Sequence, residues 1–82
     1  MRVLFRFACA DLPDVSGVQE AEITEGATVE QAMTEFAKNR RMEDTLAKLP
    51  ESMFLIGKKP AQLATVLREG DELMVMRILH GG

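Results

Sequence analysis

Residue types that build metal sites, disulfides and nucleic-acid contacts are scarce in this 82-residue chain. It has one cysteine, Cys9, and one histidine, His80, so it lacks the residues for an internal disulfide or for a zinc site built from cysteine and histidine. Tryptophan and tyrosine do not occur, the net charge is -3 and the 10 basic residues are scattered, which disfavours nucleic acid as a partner. We therefore expect no bound metal and no nucleic-acid interaction.

Long apolar runs are also missing. Arg2 and Arg6 interrupt the start of the chain, which therefore lacks the apolar core of a signal peptide, and no run approaches the ~20 apolar residues of a membrane span. Hydrophobic residues make up 46% and charged residues 28% of the chain, the balance of a folded soluble protein. We expect one cytoplasmic domain over residues 1–82, not associated with a membrane and too small to enclose an active site of its own.

Alternation of apolar and polar side chains predicts the strands. Residues 2–8 and 19–24 alternate with period two and are separated by turn-forming residues, which predicts an antiparallel hairpin. Residues 53–56 are apolar without alternation, as is typical of a strand that is central in its sheet or covered on both faces. Residues 57–60 are expected to turn the chain, and a last strand is expected over residues 73–79.

A capping box predicts where the main helix begins. Residues 28–31 read Thr-Val-Glu-Gln, so that Thr28 and Gln31 can satisfy each other's backbone amides. An apolar stripe with helical spacing follows, made of Val29, Ala32, Met33, Phe36 and Ala37. We predict a helix that lies on the sheet, then a short second helical segment over residues 42–49 that Pro50 ends.

The last strand is apolar on both faces. Its two sets of alternating side chains are Leu73, Val75 and Leu79 on one side and Met74, Met76 and Ile78 on the other, and only Arg77 interrupts them. If the helix covers one face of the sheet, the other set is left exposed, which is typical of a partner-binding surface. Methionine suits such a surface because it is unbranched and polarizable, and Leu4 can extend it. The alternative is that loops of the same chain cover these side chains.

The sequence closes with Gly81-Gly82, directly after this strand. A terminus without side chains can enter a narrow active site of another protein, because only the backbone has to fit. At a usage of roughly 7% for glycine, the pair ends about one chain in two hundred by chance, and a remnant of an expression tag is a further alternative. We expect residues 79–82 to form a flexible tail whose terminal carboxylate carries the chemistry.

The element order, the segment 65–73 with its Gly-Asp-Glu turn, and the terminal Gly81-Gly82 together resemble the ubiquitin-like sulfur carriers, the MoaD/ThiS family. The resemblance covers nearly the whole chain. Two departures concern the subfamily: residues 55–58 read Leu-Ile-Gly-Lys where the family commonly has Val-Asn-Gly-Lys, and His80 stands where a small residue often precedes the glycines.

The resemblance implies an α+β fold of the β-grasp type, a mixed sheet around one helix with the first and last strands adjacent and parallel. It also implies that a ubiquitin-activating-type enzyme uses ATP and magnesium to adenylate the carboxylate of Gly82, which a persulfide then converts into a thiocarboxylate. The sulfur is donated in cofactor biosynthesis on a sulfur-accepting synthase subunit. The chain itself would be a carrier and co-substrate that binds no cofactor, or the non-catalytic small subunit of a synthase.

Residue roles follow from the resemblance. Gly82 would carry the reacting group, and Gly81 and His80 would thread into the partner; a catalytic role for His80 is disfavoured because a flexible tail does not orient it. The docking residues would be Leu4, Met74, Met76, Arg77 and Ile78. Molybdopterin is favoured as the sulfur acceptor, and the thiazole of thiamin or another acceptor, such as an amino acid or tRNA, stays open. The open alternatives are a protein modifier conjugated to lysines and an interaction module that does not use its tail.

Overall fold

The computed structural model describes residues 1–9, 17–43, 46 and 49–77, and within them it leaves out the side chains of Cys9 and Glu51. In this part of the chain the elements follow the predicted order, with one additional strand. They are β1 (Arg2–Cys9), β2 (Val18–Glu22), α1 (Val29–Asn39), a 3₁₀ helix (Leu49–Glu51), β3 (Met53–Ile56), β4 (Lys59–Ala61) and β5 (Glu72–Arg77).

The strands form one mixed sheet in the order β2-β1-β5-β3-β4. β1 and β5 lie side by side at its centre and are parallel, and all other neighbours are antiparallel. The expected parallel pairing of the first and last strands is therefore confirmed. Because both strands point the same way, Arg77 at the end of β5 lies beside Cys9 at the end of β1.

Helix α1 begins with the predicted capping box. The backbone amide of Gln31 donates to the hydroxyl of Thr28 at 3.2 Å, and the amide of Thr28 donates to the side-chain oxygen of Gln31 at 2.9 Å. Each residue thus satisfies an amide that the first helical turn leaves without a backbone acceptor. The buried residues of α1 are the five that form the predicted stripe.

The core lies between α1 and one face of the sheet. The ring of Phe36 packs against the rings of Phe5 and Phe7, with centroids 4.3 and 5.4 Å apart. Leu73 and Val75 of β5 are fully buried beside them. One face of each central strand, β1 and β5, is therefore buried, and helix α1 covers it.

Removing the ring of Phe36 is expected to destabilise the fold strongly. Phe36→Ala leaves a cavity between α1 and β1, because Phe36 is 1% exposed, and such a truncation costs about 3–5 kcal/mol of the free energy of unfolding. Urea denaturation measures this loss. Val66→Ala is the control, since Val66 is 56% exposed and should change stability by less than about 0.5 kcal/mol. A similar, small effect of both substitutions would contradict the described core.

The turn after β3 is shorter than expected. Lys59 and Pro60 were predicted to lie in it, but they belong to strand β4. Gly57 and Lys58 complete the turn alone, because both adopt a positive φ, 55° and 72°, as two-residue hairpin turns require. Pro60 is tolerated because β4 is at the edge of the sheet, where a strand residue does not need its N–H for the ladder.

The connection between α1 and β3 falls partly outside the described residues, at 44, 45, 47 and 48, while Glu43 and Leu46 are helical, so the extent of the second helical segment stays a prediction. Pro50 lies within the 3₁₀ turn Leu49–Glu51. A proline fits the start of such a turn because the first amides have no helical acceptor. No helix in the described part of the chain is long and apolar enough to cross a membrane.

The tight turn before β5 is confirmed. Gly70 has a φ of 82°, which glycine adopts at little cost, and its amide donates to the carbonyl of Arg2 at 2.7 Å. Asp71 accepts from the amide of Arg68 at 2.8 Å and, through its carbonyl, from the amide of Leu4 at 2.9 Å. The turn thereby sets the register in which β5 enters the sheet beside β1.

Candidate partner-docking surface

The sheet face opposite α1 is apolar at its centre. The register of β5 with β1 places Met74 beside Arg6 and Met76 beside Ala8. On its other side, β5 places the same two methionines beside Leu55 and Met53 of β3. We name this surface the open face and define its apolar part as Leu4, Ala8, Met53, Leu55, Met74 and Met76.

None of these six side chains is buried. Leu4, Leu55, Met74 and Met76 are half-buried, Ala8 is exposed, and Met53 is 62% exposed. An exposed apolar surface of this kind is typical of an interaction site. The open face is therefore available to a partner.

Charged side chains border the open face on β1 and β5. The Nε of Arg6 donates to Glu72 at 2.9 Å, and Arg2 lies 3.8 Å from Glu69. The Arg6 and Glu72 side chains are 44% and 42% exposed, and ion pairs at that exposure contribute only about 0–1 kcal/mol to stability.

The edges of the sheet are poor docking sites by comparison. On the β2 edge, the guanidinium of Arg40 donates to the carbonyl of Glu20 and to the side chain of Gln19, both at 3.2 Å, and it lies 4.3 Å from the ring centre of Phe36. On the other edge, β4 has three residues, and the central one is Pro60. Short or covered edges of this type resist the addition of another strand, which leaves the open face as the candidate docking surface.

The structure brings three of the predicted docking residues together. Leu4, Met74 and Met76 share the open face. Arg77 does not join them, because its side chain lies on the same side of β5 as Leu73 and Val75, which is the side that α1 covers. Arg77 is only 7% exposed. We therefore leave Arg77 out of the docking surface. Ile78 lies outside the described residues.

Sequence reasoning missed Met53 and Leu55 as surface residues. Strand β3 lies between two neighbours in the sheet, as predicted, but its second face is open. The sequence contained a pattern that indicates this exposure. Both sets of alternating side chains in residues 53–56 are apolar, as they are in the last strand. Two neighbouring strands with this pattern indicate one continuous exposed surface.

Strand β5 ends beside this surface, at Arg77. His80, Gly81 and Gly82 lie outside the described residues, so their roles stay predictions. Residues 78–82 follow Arg77, whose neighbour Met76 is paired with Met53 at one end of the open face.

Within the described part of the chain, no group of three or more histidine, cysteine, aspartate or glutamate residues can hold a metal ion.

Comparison with known proteins supports the fold. No protein-family profile and no curated protein matches the sequence, but solved structures do. SAMP1 (small archaeal modifier protein 1) from Haloferax volcanii has a TM-score of 0.79 at 20% identity over 100% of both chains. The putative molybdopterin converting factor, subunit 1, from Pyrococcus furiosus has a TM-score of 0.72 at 16% identity, over 96% of this chain and 99% of that one.

A third similar structure is a ubiquitin-like protein from Caldiarchaeum subterraneum, with a TM-score of 0.59 at 13% identity over 99% of this chain and 100% of that one. At these identities the similarity establishes the fold. It confirms, at that level, the resemblance found in the sequence: the chain is an α+β protein with the ubiquitin-like β-grasp fold.

Proposed function

We propose that the chain is a sulfur carrier whose Gly82 carboxylate is adenylated by a ubiquitin-activating-type enzyme and converted into a thiocarboxylate. The observation that carries this proposal is the open face, with Met74 and Met76 half-buried on the strand that leads into the Gly81-Gly82 terminus. The similarity in fold to a putative molybdopterin converting factor subunit supports it.

The chemistry explains why a partner is needed. A carboxylate repels nucleophiles and has no good leaving group, whereas its mixed anhydride with AMP can be attacked. Attack by the outer sulfur of a persulfide on the acyl carbon releases AMP and forms an acyl disulfide. A partner's thiol then attacks the donor sulfur, which forms a new disulfide between the two and leaves the thiocarboxylate on Gly82. ATP, magnesium and the persulfide come from partners, and this chain contributes the carboxyl group and the docking surface.

Docking on the open face raises the effective concentration of the tail at the partner's active site. A tail that would otherwise react only after a free encounter of two molecules is then held in an oriented position. Residues 78–82 extend at most about 17 Å beyond Arg77, at roughly 3.3–3.6 Å per residue. The nucleotide of the activating enzyme therefore has to lie within that reach of the Met76 end of the open face.

Molybdopterin is the acceptor that the comparison favours over the thiazole of thiamin, because one similar structure is a putative molybdopterin converting factor subunit. On this proposal the chain is the non-catalytic small subunit, and a sulfur-accepting synthase subunit is its second partner. A strain that lacks the gene should regain molybdopterin with the full chain and not with residues 1–80. Restoration by residues 1–80 would contradict the use of the tail.

A protein modifier is the second candidate, because another similar structure is a small archaeal modifier protein. A modifier would use the same adenylated tail and attach it to lysine side chains. Isolation of this chain from its own cells, followed by peptide mass spectrometry, distinguishes the two. Lysine-linked conjugates would support the modifier, and a terminal thiocarboxylate without conjugates supports the carrier.

A further inference from the structure

A depression of about 560 Å³ lies on the open face beside the end of β3. Leu55 and Met74, which are direct cross-strand partners, provide its apolar lining. Arg6 borders it on the β1 side together with Glu72, and the turn of Gly57 and Lys58 borders it at the β3 end. The depression thus combines an apolar floor with charged residues around it.

The position of Lys58 on the border is set by the backbone. Lys58 occupies the second place of the two-residue hairpin turn, with a φ of 72°, and the amide of Gly57 donates to the carbonyl of Glu72 at 3.4 Å. The turn is therefore tied to β5 at the depression. Lys58 is exposed and forms no ion pair with any residue that the structure describes.

The border carries an excess of positive charge. Arg6 uses its Nε to bind Glu72 at 2.9 Å, and a guanidinium has five N–H donors in all, so further donors remain for a ligand. Arg6 and Lys58 against Glu72 leave a local charge of about +1. The whole chain has a net charge of -3, so this positive border is opposite in sign to the rest of the molecule.

We propose that this depression receives an apolar side chain of the docking partner that is flanked by a carboxylate. The apolar side chain rests on Leu55 and Met74, and the carboxylate binds Lys58 and the remaining donors of Arg6. A partner that covers the Arg6–Glu72 pair removes water from a cluster with an uncompensated cation, and its own carboxylate offsets that cost. The inference deepens the proposed function, on which it rests, by specifying the chemistry of the partner.

Two blocked peptides test the chemistry directly. Acetyl-Ser-Phe-Glu-Ser-amide is compared with acetyl-Ser-Phe-Gln-Ser-amide by NMR of the full-length chain, following the methyl groups of Met74 and Leu55. We expect the glutamate peptide to bind about fivefold more tightly, a typical effect of one exposed charge pair. The methyl group of Met33, a buried residue of α1, should not shift. Equal affinity of the two peptides, or no shift with either, overturns the proposal.

Neighbouring lysines provide a matched pair of variants. Lys58→Glu and Lys59→Glu make the same change in charge at adjacent exposed positions, but Lys59 pairs with Ile56 and borders a different depression, with Val66 and Arg68. Lys58→Glu should abolish the preference for the glutamate peptide and raise the KM for adenylation about tenfold. Lys59→Glu should stay within about twofold of wild type. Equal effects of the two variants would overturn the proposal.

The two proposals fail separately in these experiments. Peptide binding does not involve Gly82, so a wild-type chain that is never adenylated would contradict the carrier function and leave the peptide result standing. A chain that is adenylated normally, with no difference between Lys58→Glu and Lys59→Glu, would contradict only the inferred chemistry of the depression.

Discussion

Gly82→Trp is expected to fold like the wild-type chain and to be adenylated at least about 100-fold more slowly. Only backbone has to enter the partner's active site at a Gly-Gly terminus, and displacement of a reacting group by about 1 Å can cost about 100-fold in rate. ATP–pyrophosphate exchange that depends on the chain measures adenylation, with the activating enzyme and magnesium present.

Gly82→Ala is the graded control for this prediction. It adds one methyl group and should retain more activity than the tryptophan variant. The thermal midpoints of both variants should match that of the wild type, since the described core is formed by residues between Val3 and Val75. Normal adenylation of the tryptophan variant would refute the idea that the tail is threaded into a narrow site.

Met76→Glu should raise the KM for adenylation about 30-fold while the fold is retained. Met76 lies in the apolar part of the open face, between Ala8 and Met53. A buried interface residue of this kind contributes about 2 kcal/mol to binding, which corresponds to about 30-fold in affinity. A carboxylate there has to be desolvated on docking, and its described cross-strand neighbours, Ala8 and Met53, offer no counter-charge.

Val66→Glu is the matched control, because Val66 is exposed and lies outside the open face. It makes the same change in charge and should leave the KM within about twofold. Circular dichroism during heating separates docking from stability. A Met76→Glu chain that is unfolded would show that the residue belongs to the core, and one with an unchanged KM would show that partners do not bind this face.

Local patterns predicted the local structure well. Thr28 and Gln31 identified the helix start because a capping box involves residues three apart, and the stripe through Phe36 identified the buried face because helical spacing fixes it. The parallel pairing of the first and last strands was not contained in any local pattern. It came from the resemblance to a family, and pairing between strands so far apart in sequence depends on the whole fold.

The docking surface was predicted in part for a physical reason. Period-two alternation assigned Leu4, Met74 and Met76 to one face, but it does not say which neighbour stands beside them. Met53 and Leu55 were missed because their place beside β5 is set by the register of β3. Arg77 was grouped with the docking residues, although it lies on the same side of β5 as the buried Val75.

Intact-mass spectrometry of the chain, after incubation with its activating enzyme, ATP, magnesium and a persulfide donor, tests the central claim most directly. The account predicts a gain equal to the difference between one sulfur and one oxygen atom, located on Gly82 by fragmentation and absent when ATP is withheld. An unchanged mass, under conditions in which the enzyme thiolates a known carrier, would contradict it.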